Sequence, residues 1–144
     1  MVRTVKFPGR YDALPKISNF VVDAAREAGL TDSQVYAVDL AVDEACTNII
    51  DHAYGGEDMG EIQCTCNISE EGLTVTLCDK GRPFKPVKIP APKENARLKD
   101  LKSGGAGLFL IHKMMDKVNY DFIKGLGNVL TMTKLKSTKE VREN

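Results

Sequence analysis

The chain has 144 residues, 42% apolar and 28% charged, enough for one domain, spanning 1–144, with a genuine core. Its 20 Lys and Arg balance 20 Asp and Glu, which excludes a basic field for nucleic acid and an acidic solvating tail. No apolar run approaches the ~20 residues of a membrane span, and the first residues lack the basic, apolar, small-residue order of a secretion signal. The expectation is a cytoplasmic protein that binds neither membrane nor nucleic acid directly. Its four cysteines include Cys64-Thr65-Cys66 on a predicted strand. With no C-x-x-C pair and no suitably spaced histidine, they read as buried thiols of a reducing compartment rather than zinc ligands.

In chain order, Arg3 to Phe7 alternates apolar and polar residues as a half-buried strand does, and Pro8-Gly9 ends it. Leu14, Ile17, Phe20, Val21, Ala24, Ala25 and Ala28 trace an amphipathic helix, with Gly29 placed to close it. Thr31 or Asp32 can cap a second helix, in which Val38, Val42, Ala45 and Ile49 recur at helical spacing and which is expected to run to Tyr54-Gly55-Gly56. Glu61–Ser69 and Leu73–Cys78 form a hairpin signal across Glu70-Glu71-Gly72. A lysine-rich stretch from Lys85 to Ser103 carries Pro86, Pro90 and Pro92 and is too long for a passive connection. Gly104-Gly105-Ala106-Gly107 opens a third helix, and Val118–Ile123 with Val129–Leu135 makes a final pair of strands. The tail 137–144 is charged and expected to fray. The order βααββαββ predicts an α+β two-layer sandwich, with helices on one face of a mixed, mostly antiparallel sheet.

Three motifs stand out. Glu44 and Asn48, four apart, share a helix face about a hundred degrees from the Ala45/Ile49 seam. The pair is either an ordinary solvated flank or a base beside a metal-binding amide. Asp79-Lys80-Gly81 follows an apolar strand; it is either a plain turn or a carboxylate that accepts from an exocyclic amine, beside a glycine that admits a flat ring. The Gly104–Gly107 run either hinges a core helix or presents free N–H groups to phosphate. It is neither a dinucleotide fingerprint nor a P-loop, since the βαβ context and the P-loop Lys and Ser/Thr are missing.

Taken in order, Glu44-x-x-x-Asn48 with His52 and Tyr54, Asp79-x-Gly81-x-Pro83-Phe84, and Gly105-Ala106-Gly107-Leu108-Phe109-Leu110-Ile111 resemble the three boxes of the Bergerat-fold (GHKL) ATPases. Within these, the chain is most similar to bacterial anti-sigma-factor serine kinases of the RsbW and SpoIIAB type, from about Arg3 to Leu135. The resemblance implies Glu44 as general base and Asn48 as the Mg²⁺ ligand. It implies Asp79 and Gly81 at adenine, residues 85–103 as an ATP lid with Lys102 near phosphate, and Gly105, Gly107 and Leu108 around the phosphates. The cofactors would be ATP and Mg²⁺. The protein substrate would be an anti-sigma-factor antagonist, phosphorylated on serine or threonine, with a sigma factor as a second partner and a homodimer as the assembly. Two positions depart from the family pattern. Lys102-Ser103 stands where an Arg-Glu pair is common, and a lysine offers a point charge without arginine's fork. Asn128 stands near the adenine where threonine is usual. The first departure motivates an alternative, a nucleotide-gated anti-sigma adaptor with little kinase turnover. A sensor histidine kinase is a weaker alternative, because a phosphoacceptor helical hairpin is missing and only His52 and His112 are available.

Overall fold

The computed structural model describes residues 1–83 and 105–136, the side chains of 105 and 106 excepted. Its elements are β1 (Val2–Pro8), a 3-10 turn (Tyr11–Ala13), α1 (Leu14–Glu27), α2 (Asp32–Asn48), a π-helical turn (Ile49–Ala53), β2 (Glu61–Ser69), β3 (Gly72–Asp79), α3 (Gly105–Met114), β4 (Lys117–Ile123) and β5 (Gly127–Leu135). The predicted lid at 85–103, with Lys102, and the tail at 137–144 lie outside the described residues.

The strands form one five-stranded sheet in the order β1-β2-β3-β5-β4. All four pairings are antiparallel. Alternation along each strand separates two faces. Ile62, Cys64 and Cys66 of β2, Leu73, Val75 and Leu77 of β3, and Leu130 and Met132 of β5 point into the core. The other face is polar, and the register aligns Thr4, Thr65, Thr76 and Thr131 across four strands. Thr4 and Thr65 share a hydroxyl hydrogen bond of 2.9 Å, and Thr74 and Thr133 one of 3.0 Å.

The three helices cover the apolar face. Ile17, Val21, Ala24 and Ala25 of α1, Val38, Val42, Ala45 and Cys46 of α2, and Leu108 and Ile111 of α3 join one core with the strand residues. Each fully buried Val, Leu or Ile contributes about 1.5–3 kcal/mol. Gly29 adopts φ +85° just past α1, the left-handed conformation of a helix C-terminus. At the start of α2, Thr31 forms a full capping box: its Oγ1 accepts from the Gln34 amide at 3.2 Å, and Gln34 Oε1 accepts from the Thr31 amide at 2.9 Å. Gln34 also donates to the Leu135 carbonyl at 3.1 Å, tying this end of the helix to β5.

The end of α2 departs from the expected single helix. After Asn48 the backbone widens, with the Tyr54 amide donating to the Ile49 carbonyl at 2.9 Å and the Gly56 amide to the Ile50 carbonyl at 2.8 Å. Single π turns of this kind re-aim the residues beyond them and recur at functional sites. Here the turn keeps Ile49 and Ile50 in the core while carrying residues 52–54 toward the end of β3.

Candidate functional site

At one end of the site, Glu44 and Asn48 sit half-buried on the flank of α2, beside the buried Ala45 and Ile49. This is the edge-of-core placement that their spacing predicts. Gly107, in the first turn of α3, lies directly against them: a Cβ added there would collide with Glu44 Oε2 and stand 3.1 Å from Glu44 Cδ and 3.3 Å from Asn48 Nδ2. A carboxylate, an amide and the opening turn of a helix thus converge, although they are about sixty residues apart in the chain. Neither Glu44 nor Asn48 makes a side-chain hydrogen bond among the described residues, so both remain available to a ligand. Gly105 opens the same helix. The Leu108 side chain is core, 7% exposed, which leaves its backbone amide as the group it can offer a ligand in the first turn of α3.

At the other end, Asp79 closes β3 and is 4% exposed. Its Oδ1 accepts from the Gly81 amide at 2.8 Å and from Asn128 Nδ2 at 2.9 Å. Asn128, opposite Asp79 in the β3–β5 register, also donates to the Arg82 carbonyl at 2.8 Å. Asp79 Oδ2 has no hydrogen bond among the described residues. Burial raises the Asp79 carboxyl above its ordinary range, and the bonds from Asn128 and Gly81 pull the other way. Asn128 therefore holds the carboxylate from the strand beside it. Gly127, at φ +100°, lets β5 pass so close to the Asp79 carbonyl that a side chain would collide.

The π turn joins the two ends. A Cβ at Gly81 would meet the carbonyl carbon and oxygen of Ala53 at 2.5 Å, so only glycine admits this approach of backbone to backbone. The Arg82 amide donates to the Ala53 carbonyl at 2.8 Å and its Nη2 to the His52 carbonyl at 2.6 Å. Tyr54 Oη donates to the Glu61 carbonyl at 2.6 Å and accepts the Lys80 amide at 3.0 Å. Sequence reasoning recorded Tyr54 in a motif without a role and missed Arg82 altogether. Both act through backbone groups distant in the chain, which residue spacing does not reveal. His52 is exposed. His112 packs at a tilt on Tyr120 with centroids 6.4 Å apart, and burial lowers its pKa, the behaviour of a packing histidine. Cys46, Cys64 and Cys66 are buried free thiols as expected, and Cys78 is half-buried. A groove of about 320 Å³ between α1 and α2, lined by Ser18, Tyr36, Asp39 and Asp43 among others, contains none of these site residues.

Asn48 fits Mg²⁺, a hard ion that takes one or two protein oxygens and completes its shell with water and phosphates. Its amide is half-buried, without a hydrogen bond among the described residues, and adjacent to a carboxylate and a helix N-terminus. No group of three or more His, Cys, Asp or Glu among the described residues would form a dedicated all-protein cage.

The family model of the histidine kinase-like ATPase domain matches residues 7–134. The chain belongs to that family. It is 32% identical to a serine-protein kinase RsbW of Halalkalibacterium halodurans, over 93% of this chain and 83% of the relative. It is 34% identical to the RsbW of Listeria monocytogenes serotype 4a over 98% and 91%, and 34% identical to that of a Staphylococcus aureus strain over 81% and 76%. Membership therefore extends to the RsbW-type serine-protein kinases, and it supports protein serine/threonine kinase activity over the adaptor alternative. Two solved structures share the fold. The RsbU and RsbW domains of a Mycobacterium tuberculosis protein superpose with a TM-score of 0.64 at 14% identity, over 94% of this chain and 32% of that one. The histidine kinase domain of a blue-light activated kinase from Erythrobacter litoralis gives 0.54 at 17% identity, over 93% and 64%. This chain thus spans about a third of the first structure and just under two thirds of the second.

Proposed function

We propose that this RsbW-type kinase transfers the γ-phosphoryl group of ATP to a serine or threonine of an anti-sigma-factor antagonist, with Glu44 as general base. The observation that supports the reading is the approach of Gly107 to Glu44 and Asn48, which brings a carboxylate and an amide to the start of a glycine-opened helix. Glu44 takes the proton of the attacking hydroxyl as its oxygen bonds to the γ-phosphorus, and the bond to the ADP oxygen breaks. Asn48 would hold Mg²⁺ through its amide oxygen, and the bound ion supplies positive charge that spreads the developing charge of the phosphates. The amides of Gly105, Gly107 and Leu108 face phosphate from the positive end of the α3 dipole. Asp79 accepts from the adenine amino group, Gly81 leaves room beside the ring, and Asn128 holds Asp79 in place. Lys102, within a lid at 85–103, meets a phosphate as a point charge.

In the same reading the protein acts in the cytoplasm as a homodimer, and sequesters a sigma factor when the antagonist is phosphorylated. The known part is narrower: no described helix is long and apolar enough to cross a membrane. The test is transfer of labelled phosphate from ATP with Mg²⁺ to antagonist-like proteins encoded near this gene, for wild type and Glu44→Ala side by side, with ATP binding measured separately. The expected result is transfer that vanishes in the variant while ATP still binds. Binding of ATP with no transfer to any candidate would return the adaptor reading.

A further inference from the structure

Asp79 can read an amino group only if its carboxylate stands at a fixed height above the end of β3. The turn that sets this height is held from both sides. On the Arg82 side, backbone and guanidinium are tied to Ala53 and His52. On the Asp79 side Asn128 holds the carboxylate and Lys80 Nζ reaches the Gly125 and Leu126 carbonyls at 3.3 and 3.4 Å, while the backbone amide of Lys80 is tied by a phenol. The Lys80 amide lies one residue past the last β3–β5 pair, Asp79 with Asn128, and so has no ladder partner. Its hydrogen bond goes to Tyr54 Oη at 3.0 Å. A hydroxyl carries one proton, and that proton is given to the Glu61 carbonyl at 2.6 Å. The relay from the Lys80 amide through Tyr54 to Glu61 therefore runs in one direction only, and its members polarise one another. The ring lies tight against Gly60 and near Gly9: a Cβ at Gly60 would lie 2.5 Å from Tyr54 Cε1 and Cζ, and one at Gly9 would lie 3.6 Å from Cδ2.

We propose that Tyr54 is a positioning residue for base selectivity, setting the Asp79–Lys80 turn so that the free Asp79 oxygen meets the 6-amino group of adenine. This rests on the reading of Asp79 as the adenine acceptor. Burial pushes the Tyr54 phenol up from its usual value, so the donor to Glu61 stays protonated. Phenylalanine would fill the same space beside Gly60 yet leave the Lys80 amide without an acceptor and the Glu61 carbonyl without a donor.

The experiment compares binding of ATP and of purine riboside triphosphate, which lacks the 6-amino group, both with Mg²⁺. The proteins are wild type, Tyr54→Phe and Tyr11→Phe. Tyr11 bonds Asp51 on the same π turn but makes no hydrogen bond to residues 79–83 among the described residues, so its variant controls for general loosening. Wild type should prefer ATP by about ten- to hundredfold, the range for a hydrogen bond to a charged group. Tyr54→Phe should reduce that preference to about threefold or less, and Tyr11→Phe should keep it. Gly60→Ala retains the hydroxyl but displaces the ring, should lose the preference likewise, and serves where Tyr54→Phe does not fold. An unchanged preference in Tyr54→Phe, or in Gly60→Ala where that variant stands in, overturns the inference. So does an equal loss in Tyr11→Phe. A wild type that binds both nucleotides alike overturns the reading of Asp79 itself, and the inference with it.

Discussion

The two ends of the site are built differently. Around Asp79 the backbone is pinned, by Gly81 against Ala53, Gly127 against the Asp79 carbonyl and the Lys80 amide on Tyr54, and the Asn128 side chain holds the carboxylate. The carboxylate is buried and already holds two hydrogen bonds. Around Glu44 and Asn48 the side chains are half-exposed and unbonded among the described residues, and Gly107 approaches a flexible side-chain tip rather than a backbone. In the proposed reading the adenine end, at Asp79, is set before any ligand arrives, which lowers the ordering cost of binding. The phosphate end of that reading, at Glu44 and Asn48, is left for the ligand to complete. An amino group demands a fixed angle, whereas a charged phosphate and its metal are held by longer-ranged attraction.

Substitutions at the two ends should therefore fail in different ways. The largest effect is expected at the open end, where Glu44→Ala should lower phosphate transfer by about 10²–10⁴-fold, the range for a positioned base. ATP binding, followed by calorimetry, should change little. At the closed end the order reverses: Asp79→Asn should weaken ATP binding about tenfold or more. It should also raise the melting temperature at neutral pH. Because burial raises the Asp79 pKa in the folded state, between the unfolded and the folded value the native protein holds a proton that the unfolded chain has released, and above the folded value it carries a buried charge that Asn lacks. The resulting stability is present below the unfolded value and lost as pH rises through the folded one. The stability advantage of Asp79→Asn should thus shrink as pH is lowered through the Asp79 value, and an advantage that persists in acid would contradict this account. Wild-type ATP binding should weaken over the same interval.

Two glycine substitutions sharpen the contrast. Gly81→Ala presses on the Ala53 backbone, which cannot yield without breaking the turn, and should cost about 1–3 kcal/mol in denaturant unfolding along with ATP affinity. Gly107→Ala meets the Glu44 carboxylate, which can swing aside. It should leave stability within about 1 kcal/mol while transfer falls about tenfold, since a displaced base is a weaker one. Equal losses of stability in the two variants would erase the distinction between a rigid and an open end. The smallest effect is expected from Thr31→Ala, which removes the α2 cap far from either end and should cost about 1 kcal/mol, with kinetics unchanged once the protein is folded.

Local signals in the chain specified most of the elements. Period-two alternation located β2 at Glu61–Ser69 with its observed bounds, and cap chemistry offered Thr31 or Asp32, of which Thr31 is the cap, and set Gly29 at the end of α1. Helical spacing put Glu44 and Asn48 at the margin of the core, because burial follows from which face a residue shares with Ala45 and Ile49. The π turn was not legible. Nothing in Ile49-Ile50-Asp51-His52-Ala53 forbids an α-helix, and the widening is settled by contacts with the loop at residues 80–82 and with β2.

What the sequence by itself determined was the kind of residue at each position and the strand or helix that carries it, since these depend on neighbours within a few residues. Only the tertiary structure decided that Gly107 rests on Glu44, that Asn128 steadies Asp79, and that Tyr54 joins Lys80 to Glu61. Those relations depend on sheet register, on the π turn and on the packing of α3 against α2, which pair residues from 7 to 49 positions apart by hydrogen bonds and about sixty apart at Gly107 and Glu44. Long-range pairing arises from burying a shared core, and a pattern read along the chain carries no record of which distant residue completes it.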